Sequence, residues 1–179
     1  MIESNRRNTE ELRGKVLSDD QKIDYFISCF EDDEESIIVR HLTERESLRE
    51  IYSRLPAKFP VLFEKLLLNY RWSSIWLYGA FRLLDSTDDK PDLSGFLGEI
   101  FKDENLVTPC LQNGYIQFAF AYDRYDPVCF NTNKRTSAND FEIVRLDHEL
   151  LLQRSKIKAI KTLAPSFELL MAGDYHQPG

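Results

Sequence analysis

The 179-residue chain lacks the marks of several protein classes. Its cysteines, Cys29, Cys110 and Cys129, are odd in number and widely spaced, which favours reduced thiols over a disulfide framework. Seven glycines and seven prolines are too few for a collagenous or low-complexity chain. No apolar run approaches the roughly 18 residues of a membrane helix, and no signal-peptide pattern follows the first arginines. These absences predict a cytoplasmic, globular protein that does not bind membranes.

Positive charge is also scarce, with 23 lysines and arginines against 30 acids and a net charge of -7. A general nucleic-acid binder needs surplus cations that face phosphates, so this balance argues against direct nucleic-acid binding. The imbalance is uneven: residues 1–50 hold fourteen acids and eight cations, whereas residues 101–179 hold ten and nine. Most of the net negative charge therefore lies in the first fifty residues.

Helical spacing of apolar residues dominates the first half of the chain. It predicts a helix after Asp19 and Asp20, and further helix from Ile37 to Leu55. Pro60 suits the first position of a strongly apolar helix that runs to Tyr70. The run from Ile75 to Leu84 is rich in aromatic and branched residues and predicts a strand. A short helix is predicted around 93–102.

The second half alternates apolar and polar residues, which predicts antiparallel strands. Asn113-Gly114 signals a turn before the first of them. Helical spacing returns between Leu150 and Leu170, interrupted at Pro165. The predicted strands are 116–122, 128–130 and 141–146, and a polar loop over 131–140 is predicted between the last two. The order of elements predicts the α+β class.

Asp147-His148-Glu149 is the polar triplet whose side chains are most suited to catalysis or metal binding. One hypothesis is an acid–base or metal site. The other is a helix N-terminus, in which Asp147 caps the helix and Glu149 offsets its dipole. We favour the second, because adjacent residues at a helix start point in different directions. No phosphate-binding loop, nucleophile elbow or metal-ligand spacing occurs elsewhere, so we predict no catalytic residue, metal or cofactor.

Several short motifs in the second half occur in an order typical of one family. They are Tyr125-Asp126-Pro127-Val128-Cys129-Phe130, then Ile143-Val144-Arg145-Leu146-Asp147-His148-Glu149, and then Leu163-Ala164-Pro165-Ser166-Phe167. This order resembles the SUKH superfamily, which includes Syd, a fungal cell-wall regulator and many bacterial proteins. The similarity spans about residues 50–172. The chain departs from the family at Arg71–Ser74, where a glycine-rich turn is common, and at Asn131, where an acid is common.

The resemblance implies a non-enzymatic α+β domain with a mostly antiparallel sheet flanked by helices. We expect a SUKH-like domain over 51–173, an acidic N-terminal helical segment over 1–50 packed on it, and a frayed tail over 174–179. Many bacterial members are immunity proteins that bind and block a toxin domain, often a nuclease or deaminase. The residues that match the family motif are expected to maintain the fold, and they are Asp126, Pro127, Phe130, Asp147 and Phe167.

An acidic protein would be attracted to a nuclease-type toxin, which is basic where it meets phosphate. We therefore expect the partner to be a basic toxin domain that docks on exposed acids, with a tryptophan as an anchor. The candidate partner-binding residues are Asp32, Asp33, Glu34, Glu35, Trp72, Trp76, Asp88 and Asp89. Two alternatives remain: a scaffold or regulatory module without a toxin partner, and a metal-dependent enzyme that uses Asp147, His148 and Glu149.

Overall fold

A computed structural model describes residues 17–30, 33–87, 92–122, 125–137, 140–154 and 156–176. Its helices are α1 (Asp19–Ser28), α2 (Leu48–Arg54), α3 (Val61–Asn69), α4 (Ser94–Ile100), α5 (Glu104–Gln112), α6 (His148–Arg154) and α7 (Phe167–Met171). A 3-10 turn, Arg45–Ser47, precedes α2. The strands are β1 (Ile37–Arg40), β2 (Tyr70–Ser73), β3 (Trp76–Leu77), β4 (Phe81–Leu83), β5 (Tyr115–Ala121), β6 (Pro127–Ser137), β7 (Asp140–Leu146) and β8 (Ala159–Ala164).

The strands form two antiparallel sheets. β1 pairs with β2, and β3 to β8 form a curled six-stranded sheet in which each strand pairs with the next one in the chain. Helices flank this sheet, so the predicted α+β class with a mostly antiparallel sheet is confirmed. Helices α4 and α5 lie in the connection between β4 and β5, and α6 lies in the connection between β7 and β8.

Helix α1 begins at a capping box. The Ser18 hydroxyl accepts a hydrogen bond from the Gln21 N–H, and the Gln21 side chain accepts one from the Ser18 N–H. The buried face of the helix carries Ile23, Phe26 and Ile27, which join the same apolar core as α3. The described part of the N-terminal acidic segment thus contributes side chains to the main core.

The core is built around Phe63 on the apolar helix α3. The Phe63 ring packs edge-on against Phe118, Phe130 and Phe167, with centroids 5.2–5.7 Å apart. A smaller cluster lies on the other face of the sheet, where α5 and α6 place Cys110 and Leu151 against strands β6 and β7. All three cysteines are free thiols.

Two predictions in the first half are wrong. Ile37–Arg40 is a strand rather than a helix, because it pairs with Tyr70–Ser73, more than thirty residues away. Ile75–Leu84 is not one strand, because the chain reverses between β3 and β4. Tyr78 and Gly79 make this reversal with positive φ angles of 55° and 65°. Since positive φ costs glycine no steric strain, Gly79 suits the turn.

The second half contains three further differences. The loop predicted over 131–140 continues strand β6 to Ser137. Helix α5 was not predicted at all, and Gly114, with φ +78°, ends its last turn and leads into β5. A Cβ at Gly114 would approach the Asn133 side chain to 2.7 Å. The helix predicted over 150–170 ends at Arg154, and its second half is strand β8 and helix α7.

Residues 174–176 of the tail contact the body of the protein, and the predicted fraying of the tail stays a prediction. The His176 N–H donates to the Leu163 carbonyl at 2.7 Å, and the Tyr175 ring stacks on Tyr78. Residues 177–179 lie outside the described residues. Among the described helices, none has the length and apolar character needed to cross a membrane.

Candidate protein-binding surface

The acidic cluster predicted as a docking site forms the turn that leads into β1. Asp33 organises this turn, because its carboxylate accepts hydrogen bonds from the Glu35 N–H at 3.2 Å and the Ser36 hydroxyl at 2.9 Å. Glu34 and Glu35 are exposed to solvent. Asp32 lies outside the described residues. The turn therefore presents two carboxylates at the start of an edge strand.

Three large aliphatic side chains are exposed on β1 and directly after it. Ile37 is 57% exposed, Val39 is 52% exposed and Leu42 is 72% exposed. Side chains of this kind, close together on a strand, are a common feature of interaction surfaces. Helical spacing in the sequence predicted a helix here, and none of the three residues was among the predicted binding residues. The run of three β-branched residues at 37–39 was the signal that could have indicated a strand.

Further acids follow these aliphatic residues in the sequence. Glu44, Glu46 and Glu50 are exposed, and Glu46 and Glu50 line a depression of about 440 Å³ between α2 and α4. Residues 33–50 contain six acids and three arginines, which gives a net charge of -3 for this stretch. We call the exposed residues of 33–50 the acidic–aliphatic surface. Exposed aliphatic side chains in a stretch that also carries exposed charges are typical of protein-binding sites.

The two tryptophans proposed as anchors have different environments. Trp72 is fully buried, its indole N–H donates to the Leu84 carbonyl at 2.9 Å, and its ring packs against Phe63 and Phe96. It belongs to the core, so its prediction as an exposed anchor is wrong. Sequence alone could not distinguish a buried strand tryptophan from an exposed one, because the difference depends on which elements cover it.

Trp76 is half-buried and lies on β3 at one end of the large sheet. Its ring centroid is 6.0 Å from that of Tyr122, which is 72% exposed. It is remote in sequence from the acidic–aliphatic surface. Asp88 and Asp89, the other predicted acids, lie outside the described residues.

Asp126 is the centre of a buried ionic cluster. Its carboxylate accepts hydrogen bonds from the Arg145 Nε at 2.6 Å, from the His148 backbone N–H at 3.1 Å and from His148 Nδ1 at 2.6 Å. Burial disfavours the charged carboxylate, but the hydrogen bonds from His148 and Arg145 outweigh this effect and lower the Asp126 pKa. The cluster ties the turn before β6 to the start of α6.

The other residues of the motif also make structural contacts. Pro127 is buried at the start of β6, and Phe130 and Phe167 are fully buried in the core. Asp147 caps α6, because its carboxylate accepts a hydrogen bond from the Leu150 N–H at 3.1 Å. These side chains hold elements of the fold together.

Asp147, His148 and Glu149 do not converge on one point. Asp147 caps the helix, His148 bonds to Asp126 and stacks on Tyr125, and Glu149 is exposed. Among the described residues, no three histidines, cysteines or acids are close enough together to hold a metal ion. The metal-site hypothesis for this triplet therefore has no geometric support.

Comparison with family models, with curated proteins and with solved structures finds no match to this chain.

Proposed function

We propose that this chain is a cytoplasmic, SUKH-like protein-binding domain. In this proposal it acts as an immunity protein that binds a basic toxin domain, such as a nuclease or deaminase, and blocks it stoichiometrically. The observation that carries the proposal is the acidic–aliphatic surface. The exposed Ile37, Val39 and Leu42 lie in a stretch whose net charge is -3.

This surface combines two properties that a tight inhibitor of a basic protein needs. Its carboxylates would attract a cationic partner over a distance of about 10 Å at moderate salt and speed association. Its aliphatic side chains would supply the apolar burial that slows dissociation. The ionic cluster at Asp126 supports the same proposal indirectly. The side chains that are most suited to catalysis make contacts that hold the fold together.

The direct test is neutralisation. The gene would be co-expressed with a candidate toxin domain encoded next to it, and growth would be compared with and without the chain. The proposal predicts rescue of growth and a 1:1 complex of the purified proteins. Lack of rescue, or rescue without any complex, would contradict it. A complex that forms without an effect on the toxin would favour a scaffold role instead.

Reversing the charge of the turn before β1 should weaken this complex. Glu34→Lys with Glu35→Lys replaces two exposed carboxylates by cations, so we expect the association rate to fall by about tenfold or more at low salt. The dependence of the affinity on salt should flatten as well. Surface plasmon resonance over a salt series measures both quantities.

The matched control reverses two exposed acids elsewhere, with Glu104→Lys and Asp174→Lys. This pair changes the net charge by the same amount but leaves the acidic–aliphatic surface intact. If both pairs weaken binding equally, total charge matters rather than this surface, and the site is wrongly placed.

Removing the most exposed aliphatic side chain should affect binding but not folding. Leu42→Ala is expected to change the free energy of unfolding by less than about 0.5 kcal/mol, because Leu42 is 72% exposed. The affinity for the partner should fall by about tenfold or more if Leu42 is buried centrally in the complex. Calorimetry measures the affinity, and urea unfolding measures the stability.

Leu152→Ala is the control for this substitution, because Leu152 is also a half-exposed leucine but lies on α6. It should leave both the affinity and the stability nearly unchanged. An unaltered affinity for Leu42→Ala would remove Leu42 from the proposed interface.

A further inference from the structure

Strand β1 has one paired edge and one open edge. It pairs with β2 in the register Ile38 to Trp72 and Arg40 to Tyr70, and no described residue pairs with its other side. The His41 N–H donates to the Asn69 carbonyl at 2.9 Å, in the same register. Hydrogen-bonded positions alternate along an antiparallel strand, so the backbone groups of Ile38 and Arg40 point away from β2. They are available to another strand.

A groove of about 510 Å³ lies beside this strand, between α1 and β1. Its apolar walls are formed by Ile27 and Phe30 from α1 and by Ile38 from β1, and Ser36, Arg40 and Tyr70 also line it. A strand added to the open edge would direct alternate side chains to opposite faces of the small sheet. One set would enter the groove next to Ile38, and the other would lie beside the exposed Ile37 and Val39.

The charges around the groove favour a cationic occupant. Asp24 lines it and accepts a hydrogen bond from the Tyr70 hydroxyl at 2.8 Å through one of its carboxylate oxygens. Glu34 and Glu35 lie at the end where Ser36 enters β1. Arg40 is the lone cation among the residues that line the groove. Together Asp24, Glu34, Glu35 and Arg40 carry a net charge of -2.

We propose that β1 and the groove beside it bind an extended segment of the partner that carries lysine or arginine residues. The segment adds a third, antiparallel or parallel strand to the β1–β2 sheet, with main-chain hydrogen bonds to Ile38 and Arg40. This is strand addition to a sheet edge, a common mode of peptide recognition in which alternate side chains provide specificity. The inference rests on the proposed binding function and specifies how the partner is recognised.

The large sheet offers a useful comparison. β8 is its last strand in the described order, so it has an open edge too. However, Lys156, Lys158 and Lys161 lie on or next to β8, and they would repel a cationic segment. The two edges therefore predict opposite preferences for the charge of an added strand.

The probe is a synthetic peptide of about eight residues with alternating lysine and valine. It is titrated into the full chain labelled with ¹⁵N, and amide shifts and exchange rates are followed by NMR. We expect the largest shifts at Ile38 and Arg40 and slower exchange of these two amides, whereas the Val39 amide, already bonded to β2, changes little. An alternating glutamate–valine peptide should bind β1 at least about tenfold more weakly.

Arg40→Pro tests the strand hydrogen bonds directly. It removes the outward N–H of Arg40, whereas Arg40→Ala removes the same side chain and keeps that N–H. An edge strand tolerates proline, and the residue before a proline prefers extended backbone. Strand β1 should therefore still form. We expect Arg40→Pro to lower peptide affinity by about tenfold and Arg40→Ala to preserve or raise it. Thermal unfolding of both variants checks that they fold.

The proposal is overturned if the lysine–valine peptide shifts other amides, if both Arg40 variants bind equally, or if the charge of the peptide has no effect. It is also overturned if sedimentation of the free protein shows a dimer that buries β1, because the occupant would then be a second copy. None of these results bears on toxin neutralisation, which the co-expression assay decides. Conversely, a failure of neutralisation with normal peptide binding would reject the immunity role and keep the strand-binding groove.

Discussion

Phe63→Ala is expected to lower the free energy of unfolding by about 3–5 kcal/mol, the largest effect of any single substitution considered. The side chain is fully buried, and its ring contacts six other aromatic rings, which come from the segment before α3, from α4, from the two sheets and from α7. Alanine would leave a cavity that these rigid rings cannot fill without leaving their rotamers. Urea unfolding followed by circular dichroism measures the loss.

Phe120→Ala is the matched control, because Phe120 is only half-buried on β5. Solvent already reaches part of its ring, so the expected loss is about 1 kcal/mol. Equal losses for the two variants would show that Phe63 is not the centre of the core. The comparison also tests whether α3 and the large sheet unfold together, since Phe63 joins them.

Asp126→Asn is the second large effect, with an expected loss of about 3 kcal/mol. Asparagine fills the same space but carries no charge. The Arg145 guanidinium, which is mostly buried, would lose its ionic partner, and His148 Nδ1 would lose a charged acceptor. Removing one member of a buried ion pair costs more than the pair contributes, because the other charge stays buried.

Asp147→Asn is the control, since it is the same chemical change twenty-one residues away. Asparagine caps helices about as well as aspartate, so the stability should change by less than about 0.5 kcal/mol. Chemical unfolding at neutral pH compares the two variants. A loss in Asp147→Asn as large as that in Asp126→Asn would contradict the assignment of the ion pair to Asp126.

The pH dependence provides an independent check of the same cluster. Because the pKa of Asp126 is lowered in the folded state, the carboxylate contributes stability above its unfolded pKa, which is about 3.9. This contribution is lost as the pH falls through the folded pKa. The difference in stability between the natural chain and Asp126→Asn should therefore be constant near neutral pH and shrink below about pH 4. A difference that does not change with pH would exclude an ionic origin.

These predictions separate folding from binding. The residues of the motif around Asp126 determine stability, whereas Glu34, Glu35 and Leu42 are exposed and carry the proposed interface. The two sets can therefore be altered independently in this chain.

Features governed by local interactions could be predicted from the sequence. The helix after Asp19 and Asp20, the helix that begins after Pro60 and the cap at Asp147 all depend on residues within one or two turns. The alternation along β5 and β7 also identified strands, because side chains of a strand point to opposite faces. Cysteine count and spacing predicted free thiols, and the structure confirms this.

Apart from helix α5, which Asp103 caps locally and which was missed, the main errors concern segments whose structure depends on pairing with another strand. Ile160 and Leu163 have helical spacing, but residues 159–164 form a strand because their backbone pairs with β7. Ile37–Val39 was assigned to a helix for the same reason, since its partner strand begins at Tyr70. The hydrogen bonds that decide such segments are long-range, and no window of the sequence contains both halves of them.

The sequence by itself determined the α+β class, the reduced thiols and the place of the negative charge near the N-terminus. Only the tertiary structure decided which of those acids border exposed aliphatic residues, that Trp72 is buried, and that β1 keeps one edge open beside a groove. The physical reason is that composition and periodicity are properties of neighbouring residues. Exposure, by contrast, depends on which distant elements cover a side chain, and that depends on the complete packing.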